Sequence, residues 1–237
     1  LPTRTINVKV PALHLCQVAE IREPFDLVFL IVKAYDTKWA CQLIEPCLAP
    51  DGLVGGLQNG MTHEDIAAIV GRERTIGAVI EIASNMFVPG VTNRQNDHDT
   101  SWFALGALDP KTQERVESVA ELLRNTGTVE VTDDIRSAKW MILVVNAAEL
   151  IPSAITNLPL ADAARAPGML EVMREAGYEA MLPWLMAQRS FPSSVCPCHN
   201  QSSGSVRRSD FRGGIEDILS IRHPDDLAPG LAQRSAC

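Results

Sequence analysis

The spacing of apolar positions changes character along the chain, and the changes mark out its organisation. After Asp26, Phe25–Val32 (FDLVFLIV) is a continuous apolar run of strand length. Such a run predicts a strand buried on both faces, as in a parallel sheet. Asp36 or Thr37 can cap a helix reaching about Leu48, which Pro50-Asp51-Gly52 stops. Leu53–Leu57 is the next apolar run, with Gln58-Asn59-Gly60 as its turn. Thr62 can cap a helix through Val70, with Glu64 and Asp65 favoured in its first turn by the helix dipole. Gly71 ends that helix, and Thr75–Ile82 is a third strand. This alternation predicts an α/β domain with right-handed crossovers. Val88–Val91 and Trp102–Gly106 read as further strands in a meander. Pro110 opens a helix with Val116, Val119, Ala120, Leu122 and Leu123 at helical spacing, and Val129–Val131 is a short strand.

From Asp133 or Asp134, either of which can cap a helix, the pattern turns helical to about Gln188. Ser137–Ile155 (SAKWMILVVNAAELIPSAI) is almost wholly apolar, with Asn146 in its middle and Glu149 close after. A helix that is hydrophobic all round is expected inside a core. Its mid-helix amide then needs partners, supplied either by a neighbouring element or by something bound. Pro152 should kink this helix and Pro167 start another. After Arg189 the chain is rich in Ser, Cys and Pro and only briefly apolar, at Ile215–Ile221; it has no packing pattern. Three regions follow: residues 1–132 as a sheet domain, 133–189 as a helical domain, and 190–237 as an atypical tail.

Composition adds exclusions. A net charge of −8 over 237 residues argues against nucleic acid as a partner. Asn146 and Glu149 keep any apolar run below the roughly 18 residues of a membrane span. LPTRTINVKV has neither the charged start nor the apolar run of a signal peptide, and the absence of an initiator Met suggests a chain that begins within a protein. Cys16, Cys41, Cys47, Cys196, Cys198 and Cys237 form no compact disulfide framework and read as reduced and cytoplasmic. Cys196-x-Cys198-His199 lacks the second ligand pair of a zinc site, so no metal is expected.

Ligands of open α/β sheets bind at the carboxyl ends of the strands. Lys33 follows the first strand, where it can reach an anion or simply extend into solvent. Asn59-Gly60 follows the second, where it offers donors, an acceptor and close backbone approach, or forms a plain turn. Together, VKAYDT (Val32–Thr37), LQNGM (Leu57–Met61), KWMILVVNAAELIPSAI (Lys139–Ile155) and LPLADAARAPGMLEVMREAGYEA (Leu158–Ala180) resemble the ketopantoate reductase (2-dehydropantoate 2-reductase) family. The resemblance implies a Rossmann-like NADP-binding domain followed by an all-helical domain, NADPH as cofactor and a 2-oxo acid in the cleft. It further implies reduction of ketopantoate or a related substrate in pantothenate biosynthesis, with a homodimer formed through the helical part. On that resemblance Lys33, Asn59 and Ala83 are cofactor-side residues, and Asn146 holds substrate.

The departures are as specific. No G-x-G-x-x-G occurs, so the first βαβ unit of the Rossmann half is expected before Leu1. The family's general-acid lysine falls at Ile142, which has no proton to give; Lys139, nearly one turn earlier, is the available substitute. The family's later substrate Asn falls at Leu150, beside Glu149. Ser193 and Ser194 only loosely match the pocket serine, and the tail reads as disordered or as a frameshift product beginning near Arg189. The alternative to an active reductase is therefore an inactive relative that binds small acids or a partner without turnover. An α/β hydrolase is disfavoured: no G-x-S-x-G exists, and His14, His63, His98, His199 and His223 sit in no triad setting.

Overall fold

The computed structural model describes residues 5–189. The Cys196–His199 motif, Ser193, Ser194, His223 and the rest of the predicted tail lie outside the described residues. Two compact units divide at Trp140/Met141.

The first unit is a mixed five-stranded sheet covered by helices. Its elements are β1 (Phe25–Leu30), α1 (Thr37–Ile44), β2 (Leu48–Leu57), α2 (His63–Val70), β3 (Thr75–Glu81), β4 (Ser84–Val88), β5 (Val91–Arg94), β6 (Trp102–Ala107), α3 (Pro110–Arg124) and β7 (Thr128–Val131). The sheet runs in the order β1-β2-β3-β6-β7. Parallel pairing joins β1 to β2, β2 to β3 and β6 to β7, while β3 and β6 are antiparallel. The period-2 alternation of strands sorts the faces. Leu53 and Leu57 of β2 join Ile76, Ala78, Phe103 and Leu105 under Val116, Val119, Ala120 and Leu123 of α3. Val54, on the other face, packs with Leu30, Ile66, Val70, Ala40 and Cys41 under α1 and α2. Burial pushes the Cys41 thiol up to about 11, which leaves it an unreactive core group.

Several expectations are corrected. Among the described residues β1 stands at the sheet's edge, with Phe25 and Asp26 exposed, Leu27, Val28 and Phe29 half-buried and Leu30 buried. A continuous apolar run does not distinguish an edge position from a central one. The first helix ends at Ile44 because Pro46 forces a 3₁₀ turn, Glu45–Cys47; Pro50 and Asp51 then lie inside β2. Thr62 does not cap α2, since its hydroxyl is used elsewhere. Val88 and Val91 face each other across the turn of a separate β4–β5 ribbon, so the expected single strand is a hairpin tip. Arg94 fastens that ribbon: its guanidinium donates to the carbonyls of Asn96 (2.8 Å), Asp97 (3.3 Å) and Thr126 (2.6 Å) and to the Ser101 hydroxyl (2.5 Å).

Helix α4 (Ile135–Thr156) begins in the first unit and continues into the second, which also contains α5 (Leu160–Arg165) and α6 (Met169–Arg189). Asp134 caps α4 by accepting from the Ser137 amide at 3.1 Å and its hydroxyl at 2.5 Å. The helix runs through Pro152. It is long and apolar enough to cross a membrane by length and composition, which the polar Asn146 and Glu149 do not prevent. It is not enclosed on every side within the described residues: Leu150, Ile151 and Ile155 are exposed.

The start of α4 is seated by its first residue. A Cβ at Gly77 would lie 2.8 Å from Ile135 Cγ1, and one at Gly106 would lie 2.8 Å from Ile135 Cβ and 2.6 Å from the Thr132 carbonyl oxygen. Gly106→Ala is therefore expected to destabilise the protein by about 1–3 kcal/mol through overpacking, read as a lower urea midpoint with native far-ultraviolet circular dichroism.

Candidate functional site

One buried side chain joins the carboxyl ends of β1 and β2 to the helices that follow them. Gln58, the residue after β2, donates from Nε2 to the Val32 carbonyl (2.7 Å) and the Thr37 hydroxyl (2.9 Å), and its Oε1 accepts from the Thr62 hydroxyl (2.8 Å). It thus ties the turn after β1, the start of α1 and the start of α2 together. A Cβ at Gly60 would lie 3.2 Å from Ala34 Cβ, so the two strand-end turns are in close approach. Asn59 is half-buried, and its Oδ1 accepts from the Ile80 amide of β3 at 3.1 Å. That fixes the side chain and leaves the Nδ2 group as its donor. Lys33 is exposed beside this network. Lys33 and Asn59 are therefore placed at the ends of adjacent parallel strands. Ala83 lies two residues past β3. Its amide donates to Asn96 Oδ1 (3.0 Å) and its carbonyl accepts from the Gln95 amide (2.8 Å), so its backbone is engaged by the loop after β5.

Lys139 occupies the underside of the same turn. Its side chain is fully buried, and Nζ donates to the carbonyls of Gln58 (2.5 Å) and Ala78 (2.7 Å). Burial pushes its pKa down to about 8, which leaves an ammonium at neutral pH. His63, the first residue of α2, is also fully buried, and neither ring nitrogen has a hydrogen-bond partner. Burial foremost, and then the Lys139 charge, push it down to about 4. At the surface Glu64 pairs with Arg72 at 2.8 Å and with Arg136 of α4. Burial raises the Glu64 carboxyl, but the Arg136 hydrogen bond and both guanidiniums outweigh that and hold it below the usual range.

In the second unit, Ile142 is buried and Asn146 half-buried. Ile142, Asn146 and Glu149 follow at i, i+4 and i+7, on one face of α4. Glu149 is buried, and burial pushes its carboxyl up to about 7. Leu150, where the family resemblance looked for an Asn, is exposed. Sequence reasoning did not find the roles of Gln58, His63 or Glu149. Gln58 lies within the quoted LQNGM motif, but its amide's reach to Val32 and Thr37 is a tertiary fact. Glu149 was visible as a lone acid in an apolar run.

A mixed α/β sheet with a ligand-type turn at its strand ends, continued by a helical region, defines the Rossmann-plus-helical class of protein. Comparison with known proteins narrows it. The family model for the ketopantoate reductase PanE/ApbA matches residues 3–107. The curated 2-dehydropantoate 2-reductase of Archaeoglobus fulgidus is 32% identical over 158 residues, 66% of this chain and 52% of that protein. The crystal structure of 2-dehydropantoate 2-reductase from Geobacter metallireducens GS-15 superposes with a TM-score of 0.68 at 23% identity, covering 88% of this chain and 62% of that one. The ternary structure of D-mandelate dehydrogenase with NADH and anilino(oxo)acetate gives a TM-score of 0.65 at 19% identity, covering 72% and 55%. Residues 3–107, somewhat under half of the chain, match the ketopantoate reductase family model, and the chain spans about half the length of the curated relative it matches.

The His63 environment makes a pH prediction. Its folded pKa of about 4 lies below its ordinary 6.5, so the unfolded chain takes up the proton first as pH falls. Its contribution to stability is complete above about pH 6.5 and is lost progressively toward pH 4. Replacing it with an apolar residue, His63→Leu, should flatten the pH dependence of unfolding in that window by up to about 1.4 kcal/mol per pH unit, measured by urea titration between pH 4 and 7.

Proposed function

We propose that the chain serves NADPH-dependent reduction of a 2-oxo acid, ketopantoate or a close relative, in the cytoplasm. The observation that carries this reading is the Asn59 turn. It sits at the ends of parallel strands, with its side-chain oxygen held by Ile80 and its Nδ2 left to donate, and with Lys33 exposed at the neighbouring strand end. Those groups suit the hydroxyl and phosphate oxygens of a dinucleotide, which when bound supplies the hydride. A glycine-rich pyrophosphate cradle is not among the 237 residues, so the fit concerns Lys33, Asn59 and the backbone near Ala83. Asn146, half-buried on α4, is the substrate-side amide, and a neutral donor of that kind stabilises negative charge developing on a carbonyl oxygen. A homodimer belongs to the same reading, with exposed Leu150, Ile151 and Ile155 of α4 as apolar surface for it.

Proton delivery separates an active reductase from an inactive relative. Ile142 is buried where the resemblance expects a lysine, and Lys139 is already donating to two backbone carbonyls. Both observations favour the second reading, binding without turnover. Glu149 supports the first: on the same helical face as Asn146, with its carboxyl pushed up to about 7, it holds a proton near neutral pH.

The two readings separate in one set of measurements. NADPH titration followed by fluorescence should saturate, and Asn59→Ala should weaken it about tenfold, the worth of one good hydrogen bond. An active enzyme then oxidises NADPH when ketopantoate is added. With Glu149 as acid, that activity falls as pH rises through about 7 and is abolished in Glu149→Gln. Saturable binding with no oxidation, in the natural chain and in Ile142→Lys alike, establishes the inactive relative. Absence of NADPH binding overturns the cofactor assignment.

A further inference from the structure

Of the two carbonyls that Lys139 holds, one adjoins Asn59 in the chain and the other lies in β3. The Gln58 oxygen belongs to the peptide that joins Gln58 to Asn59, so the ammonium sets the plane of that peptide. No peptide in the described structure is cis, and a trans peptide directs its N–H opposite to its carbonyl. With the Gln58 oxygen aimed at Lys139, the Asn59 N–H is turned away from the buried side. The Ala78 oxygen belongs to β3, two residues before Ile80, whose amide holds Asn59 Oδ1. One buried cation thus fixes the backbone of the turn and the strand segment that orients its side chain.

The cost of burying this ammonium argues for a specific use. An aliphatic residue would fill the same volume without desolvating a charge, and a charge out of water costs several kcal/mol unless it is well solvated by the protein. Two short bonds to carbonyls supply that solvation, and they reach across the ends of adjacent strands β2 and β3, which helix α4 alone would not connect. Without the ammonium, the carbonyls of Gln58 and Ala78 lose a charge-assisted donor and the 58–59 peptide is free to rotate.

We propose that Lys139 is a positioning residue: its ammonium, clamped between the Gln58 and Ala78 carbonyls, fixes the 58–59 peptide so that the Asn59 N–H and Nδ2 are presented together to an acceptor-bearing ligand. The identification of that ligand as NADPH rests on the functional reading above; the clamp itself does not.

Two measurements on the full chain keep these apart. The first needs no cofactor. Amide hydrogen exchange at Ile80, whose N–H is bonded to Asn59 Oδ1, followed by NMR, should quicken about tenfold or more in Lys139→Met, the worth of one charge-assisted bond, and be largely restored in Lys139→Arg. Exchange unchanged at Ile80 in Lys139→Met overturns the clamp. If the Met variant does not fold, Lys139→Gln, which keeps N–H donors without the charge, carries the same comparison with the same outcomes. The second is a double-mutant cycle on NADPH affinity. Lys139→Met and Asn59→Ala should each weaken binding about tenfold, and the pair together by clearly less than the roughly hundredfold product, because Lys139 acts in part through the Asn59 side chain. Independent, multiplying effects overturn the positioning role, since a general loss of stability does not disappear when Asn59 is removed. If Asn59→Ala leaves NADPH affinity unchanged while the exchange result holds, the cofactor reading fails and the clamp stands.

Discussion

A charge buried under a sheet must be met by the backbone or expelled, and in this protein the backbone meets it. The Lys139 ammonium finds its acceptors on two adjacent strands, at the end of the sheet where ligands of this architecture bind. Around it, Ile135 fills the hollows that Gly77 and Gly106 leave, and Arg136 reaches Glu64 of α2. The opening turn of α4 is therefore part of the sheet unit, although most of the helix belongs to the next one. Sheet, turn and helix are tied together by these three contacts.

The sheet-end network divides labour between amides and charge. Gln58 uses its whole side-chain amide on internal partners at the ends of β1, α1 and α2. Asn59 uses only its oxygen on Ile80. Two consecutive residues of nearly the same chemistry thus take opposite parts, one spent on the scaffold and the other half spent and half available. Preorganisation of this kind lowers the entropy lost when a ligand binds.

Much of the architecture was legible in the chain. Strand-length apolar runs, the helical spacing of α3 and the Asp134 cap follow local rules, and the structure has them where those rules put them. The errors share a cause. Phe25–Val32 reads as buried on both faces because apolarity reports what a strand can bury and not what covers it. The long apolar helix reads as enclosed because composition cannot show which side is covered. The two carbonyls beneath Lys139 were not legible either, because sequence spacing gives a residue's angle on the helix and not what it meets. The Asn59 turn was legible as a motif; its fastening by Lys139, and the elevated Glu149 carboxyl, depend on burial that only the folded chain defines.

The β4–β5 ribbon raises a different matter. Met86, Phe87, Val88 and Val91 are exposed and contribute nothing to either core, while one guanidinium, that of Arg94, gathers the following loop, Ser101 and Thr126 into a common knot. Such a ribbon is modular. Its tip can lengthen, shorten or change its residues over generations at almost no cost to the sheet, so long as the arginine at its root is kept. Variation among related chains should then concentrate between Ser84 and Asn93 and stop abruptly at residue 94, making the ribbon the place where a new surface is most easily acquired.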